Sequence, residues 1–107
     1  MSRESLGHFE LLVLLALLRQ GEEAYGVPIA RAIENSTGKP VILASVYNTL
    51  ERLEQKGLVR SMMGQPTSER GGRAKRYFSM TAAGVREVRA AKKALTVLWR
   101  GIPVHEG

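Results

Sequence analysis

The sequence predicts one domain of the α+β class, mainly α, in the order helix, helix, helix, β-hairpin, helix. Three observations carry that reading. Gly21, Gly38 and Gly57 each follow a stretch with helical apolar spacing, where a residue able to adopt positive φ commonly closes a helix. Two short strand-like runs then flank a segment rich in turn formers, and a long amphipathic stretch follows them. Finally, 107 residues with 44% hydrophobic and 24% charged content fit a single folded domain with a modest core.

The first helix runs from about Leu6 to Gln20. Phe9, Leu11, Leu12, Val13, Leu14, Leu15, Leu17 and Leu18 make it apolar on nearly all sides. Such a helix must be covered on more than one side, by the core and by a second subunit. The second runs from about Tyr25 to Thr37, with Ile29, Ala30 and Ile33 on one face. Pro28 lies in its first turn, where a missing N–H costs little. In the third, from about Leu43 to Lys56, Leu43, Val46, Leu50 and Leu53 fall within a narrow arc. Ser45, Asn48 and Arg52 occupy the opposite arc, with Tyr47 and Thr49 on the flanks.

Leu58 to Met62 and Lys75 to Met80 read as the two strands of a hairpin whose tip spans Gly64 to Ala74, with Met62, Met63 and Met80 as core or hairpin filling. Thr81 offers an N-cap oxygen for a last helix from about Ala82 to Arg100. Along that helix Val85, Val88, Lys92, Leu95, Trp99 and Ile102 recur at spacings of three and four, a seam suited to pairing with another helix. The alternative is packing on the chain's own first helix. Lys92 fits the seam if its stem lies on apolar surface while the amine reaches water.

Composition excludes several functions. There is no cysteine and no Asp, and all 10 acids are Glu. The two histidines, His8 and His105, stand near opposite ends. Disulfides, thiolate metal sites and an Asp-based triad therefore lack their parts, and no cofactor or paired acid and base is expected. The longest apolar run, Leu11 to Leu18, falls short of the roughly 20 residues needed to cross a bilayer. Glu4 and Glu10 stand where a basic leader belongs. The expectation is a cytoplasmic protein away from membranes.

The 16 Lys and Arg residues against 10 acids give a net charge of +6, which favours a polyanionic partner. Five bases (Arg60, Arg70, Arg73, Lys75 and Arg76) against Glu69 make the hairpin its most cationic part. Arg70 and Arg73 bracket Gly71-Gly72, where backbone can approach a phosphate without a Cβ in the way. Charge alone fits a solvated loop equally well, as the third helix alone fits any amphipathic surface helix. Together they describe an insertion into duplex DNA. Arg52 can bond a guanine edge and Asn48 an adenine edge, while Tyr47 and Thr49 are placed for phosphate oxygens. The competing reading is an RNA-binding or ribosome-associated basic protein. It lacks the interleaved aromatics of a stacking platform, having only Tyr77 and Phe78 adjacent.

Four segments are familiar together. They are Ala24-Tyr25-Gly26-Val27, Val46-Tyr47-Asn48-Thr49-Leu50-Glu51-Arg52-Leu53-Glu54-Gln55-Lys56-Gly57-Leu58, Arg70-Gly71-Gly72-Arg73-Ala74-Lys75-Arg76-Tyr77-Phe78 and Thr81-Ala82-Ala83-Gly84. The chain closely resembles the PadR family over about residues 6 to 100. The resemblance implies a winged helix-turn-helix transcriptional regulator that binds DNA as a dimer. It makes Tyr25 to Thr37 the positioning helix, Leu43 to Lys56 the recognition helix and Arg60 to Met80 the wing. Residues 6–80 would form the DNA-binding core and residues 82–100 a dimerisation helix.

The expected DNA contacts are Tyr25, Ser45, Tyr47, Asn48, Thr49, Arg52, Arg70, Arg73 and Lys75. Dimer contacts are expected at Phe9, Val85, Val88, Leu95, Trp99 and Ile102. The chain departs from the family pattern at Ile42, where members often place a capping Ser or Asn, and in stopping at Gly107, which fits a short branch. Some short members hold a flat hydrophobic effector between aromatic residues at the dimer interface. Phe9 and Trp99 would line such a site, unless Trp99 serves only to anchor the dimer. Repression by occupying an operator is the expected action.

Overall fold

The computed structural model describes residues 6–21, 24–64 and 75–103. Six elements follow in the expected order: α1 (His8–Gln20), α2 (Gly26–Thr37), α3 (Leu43–Gln55), β1 (Val59–Met63), β2 (Arg76–Met80) and α4 (Ala82–Trp99). Gly21, Gly38 and Gly57 all have positive φ, so each glycine stop read from the sequence is a left-sided backbone turn. At Gly38 the amide also donates to the Glu34 carbonyl at 2.8 Å and closes α2. Glu34 then accepts the Val41 amide on its side chain at 2.8 Å, which holds the short link into α3.

The core gathers one face of each of the first three helices. Val13, Leu14 and Leu17 of α1 meet Ile29 and Ile33 of α2 and Val46, Leu50 and Leu53 of α3. Leu15 and Leu18 remain exposed on the far side of α1. Two expectations for α3 are corrected. Leu43 is exposed, because the whole first turn from Ile42 to Ser45 stands clear of the core. Thr49 is 2% exposed and sits in the buried stripe beside Val46, Leu50 and Leu53. A core-facing stripe wider than about 100° takes in the position three residues after Val46.

The hairpin is antiparallel, with Val59 opposite Met80 and Met63 opposite Arg76. Val59, Ser61, Phe78 and Met80 share one face, and Val59 and Phe78 are buried on the helices. The Phe78 amide also donates to the Ala24 carbonyl at 2.7 Å, tying β2 to the segment that leads into α2. Met62 and Met63, expected as filling, are exposed on the hairpin.

Thr81 caps α4 as expected, its hydroxyl accepting the Gly84 amide at 3.0 Å. That hydroxyl also donates to the Gly57 carbonyl at 2.7 Å, and the Thr81 amide donates to the Leu58 carbonyl at 3.0 Å. A Cβ at Gly84 would collide with the Leu58 carbonyl oxygen, so glycine there lets the helix start flush against the chain before β1. Val88 is the last residue of α4 in the core. From Lys92 to Pro103 every residue is exposed, and with this helix included the molecule extends 55 × 39 × 20 Å. The seam read from the sequence is therefore split. Val88 belongs to this chain's own core and Val85 is half-buried, whereas Leu95, Trp99 and Ile102 are uncovered.

Candidate nucleic-acid interface

With Val46, Leu50 and Leu53 fixed in the core, α3 turns Ser45, Asn48 and Arg52 to solvent, as the apolar spacing requires. Arg52 does not extend freely. Its Nη2 donates to Thr49 Oγ1 at 3.3 Å, and its Nε lies 3.7 Å from Glu10 Oε2. Thr49 is therefore a buried acceptor for Arg52 and not a phosphate contact, which corrects the role expected for it.

Glu10 is the residue that sequence reasoning missed. Though charged, it is almost buried, and its Oε1 accepts the Gly7 amide at 2.8 Å at the start of α1. Lys56 Nζ donates to both its oxygens, at 3.0 and 3.2 Å. Burial alone would raise the Glu10 carboxyl. The Gly7 amide, the Lys56 ammonium and the Arg52 charge outweigh it, and the pKa falls below the usual carboxylate value. One carboxylate thus joins α1 to the C-terminal half of α3. The Gly7-x-x-Glu10 spacing, which lets a third-position Glu reach back to the helix start, was the readable signal.

A second acid cluster orients the hairpin. Arg76 of β2 donates from Nη1 to Glu51 at 2.6 Å and from Nη2 to Glu54 at 2.7 Å. Glu54 also accepts the Ser61 hydroxyl at 2.8 Å and the Ser61 amide at 3.2 Å. The Ser61 hydroxyl, against burial and with help from the Arg76 charge, holds the Glu54 carboxyl low, and the bond to Glu51 raises Arg76. Both strands are therefore clamped to α3, and the Arg76 charge counted with the hairpin's cations is spent on two glutamates one turn apart.

Tyr25 and Lys75 meet at the base of the hairpin. Lys75 Nζ lies 3.3 Å from the Tyr25 hydroxyl and 4.5 Å from the centre of its ring, while Tyr25 packs edge-on against Tyr77 at 5.7 Å. Tyr47 is half-buried with its ring over Gly26, where a Cβ would overlap it. Tyr25, Tyr47 and Lys75 thus line the junction of α2, α3 and the hairpin. Arg70 and Arg73 lie outside the described residues. Phe9 packs against the core while Trp99 stands exposed on the projecting helix, and the two rings make no contact within one chain.

Two helices joined by a short turn, with an antiparallel hairpin clamped to the outer face of the second, define a winged helix-turn-helix domain. The sequence model of the Transcriptional regulator PadR-like family matches residues 14–90, and the chain belongs to that family. Solved structures agree on the fold. A PadR family transcription regulator from Clostridium difficile R20291 is 22% identical, covering 86% of this chain and 91% of its own, with a TM-score of 0.71. One from Eggerthella lenta DSM 2243 is 29% identical over 84% of this chain and 76% of its own, with a TM-score of 0.66. A PadR-like regulator from Bacillus cereus strain ATCC 14579 is 20% identical over 84% and 82%, with a TM-score of 0.67. No curated protein matches the chain.

Proposed function

We propose that this regulator is a dimeric repressor that reads a two-fold symmetric operator in duplex DNA. The observation that carries the reading is the exposed face of α3. Ser45, Asn48 and Arg52 point outward together on a helix held to α1 by Glu10 and to the wing by Arg76. Laid in a major groove, that face offers Asn48 to an adenine edge and Arg52 to a guanine edge. Tyr25, Tyr47 and Lys75, at the junction with the wing, serve the sugar-phosphate backbone, as do Arg70 and Arg73, which fall between the two strands in the sequence. Residues 6–80 form the DNA-binding unit and residues 82–100 the dimerisation helix, whose exposed Trp99 a second subunit would cover. A flat hydrophobic effector admitted between Trp99 and Phe9 would change the Trp99 fluorescence. Action on DNA places the protein in the cytoplasm.

The test is selection of bound sequences from random duplexes, repeated with variants. Asn48→Ala and Arg52→Ala should each cost about 1–3 kcal/mol on the selected operator and relax preference at one position per half-site. Unchanged preference in both variants would overturn the assignment of α3. Stronger binding to single-stranded RNA than to any duplex would favour the RNA-binding reading instead.

A further inference from the structure

We propose that α4 carries a second phosphate-binding track for duplex DNA, separate from the recognition helix and wing. This rests on the reading of the chain as a duplex binder and adds a surface to it. At 100° per residue, Arg86, Arg89, Lys93 and Arg100 fall within about 60° of arc along one side of the helix. All four are exposed. Val88, Leu95, Leu98 and Trp99 lie on the far side of α4, so a subunit docking on them leaves the basic ridge open, while the exposed Val97 borders it. Glu87, the acid of this helix, also lies away from the ridge.

The contrast is with α3 and β2, whose cations are held by glutamates. Arg52, Lys56 and Arg76 are each paired with Glu10, Glu51 or Glu54. Among the described residues, Arg86, Arg89, Lys93 and Arg100 have no ion pair. Their mutual repulsion is left standing, and a polyanion relieves it. The partner's shape follows from the length. The fourteen steps from Arg86 to Arg100 span about 21 Å. One strand of a duplex winds as it rises about 3.4 Å per phosphate, so a straight ridge of that length reaches about three phosphates of one strand. A shallow groove of about 290 Å³, lined by Arg89, Lys92, Lys93, Thr96, Val97 and Arg100, runs along the same side. A compact anion would engage one or two of these cations, whereas a DNA backbone engages the row.

The experiment measures how binding falls with salt on a long duplex of arbitrary sequence and on the selected operator. It compares the wild type with R89Q/K93Q and with the equal-charge control R19Q/K92Q, two exposed cations off the ridge and outside the helix-turn-helix. Each phosphate contact contributes about 0.9 to the slope of log affinity against log salt. The ridge variant should lose about 2 from that slope on the long duplex and keep its preference among operators, while the control keeps the wild-type slope. A ridge variant with the wild-type slope overturns the proposal, as does an equal loss in the control, which would show net charge acting without a track. Failure of the α3 reading would appear in sequence preference, a different quantity, and so is told apart.

Discussion

Gly26 shows how the absence of one carbon atom shapes the site. It opens α2, it is buried, and the Tyr47 ring occupies the space where a Cβ would stand. The backbone there suits any residue, so Gly26→Ala acts through crowding alone. It should destabilise the fold by about 1–3 kcal/mol in urea unfolding. Tyr47→Ala in the same chain should return part of that loss, a non-additivity expected of two groups in contact. Glu10 and Glu54 make the second prediction at this scale. Both carboxyls are held below the ordinary glutamate value, so their contribution to stability is present above that value and is lost as pH falls through the folded values. Glu10→Gln should therefore weaken the protein at neutral pH and flatten its loss of stability below about pH 4.5, as read from unfolding midpoints across a pH series. The sequence disclosed Gly26 as part of a motif but not its reason, because the ring that needs the space is 21 positions away. Glu10 stayed hidden because a charged residue in an apolar helix reads as solvent-facing until Lys56 and Arg52 are seen beside it.

Among the elements, those with local causes were legible. Positive-φ glycines stop α1 and α2, and Thr81 caps α4, since each effect is contained within a few residues. The clamp between β2 and α3 was not legible. Arg76 sits 25 and 22 positions from Glu51 and Glu54, and no spacing rule spans a hairpin whose angle is itself set by the contact. The start of α3 was readable and has a consequence. Ile42 is the N-cap, it is exposed, and no side chain there accepts a hydrogen bond. An apolar residue at that position gives the first amides of α3 no side-chain acceptor, and only the Ile42 carbonyl meets the Ser45 amide. Ile42→Ser supplies an acceptor in a backbone conformation already extended, at φ −79° and ψ 122°. It should raise stability by about 0.5–1 kcal/mol in chemical denaturation, with the gain lost again in Ile42→Ala. The same substitution leaves Ser45, Asn48 and Arg52 in place, so operator preference should not move.

At the scale of the whole molecule the imbalance lies in α4. Its first two turns are held by Thr81, Gly84 and Val88, but beyond them Leu95, Leu98, Trp99 and Ile102 stand more than half exposed on a helix that leaves the body. A soluble monomer rarely leaves so much contiguous apolar surface uncovered. On the other side of the molecule, Leu12, Leu15, Ala16, Leu18, Ala32 and Ile33 line a groove of about 450 Å³ between α1 and α2. The sequence had already called for a second cover for α1, and of the residues it set at the dimer contact this chain's own core claims Val88 and packs against Phe9. Two chains related by a two-fold axis can cover both surfaces at once, each giving its projecting helix to the other, which is the self-complementary arrangement that closed dimers use. Leu95→Glu with Leu98→Glu places charge on that helix without touching Val88 or the cap. Light scattering should then report the mass of one chain where the wild type should report that of two, with helical content kept because the buried turns are unchanged. Operator affinity should fall steeply, since each half-site must be bound without help from its partner, while the pattern of preferred bases within one half-site stays the same. A variant that keeps the wild-type mass would locate the subunit contact elsewhere.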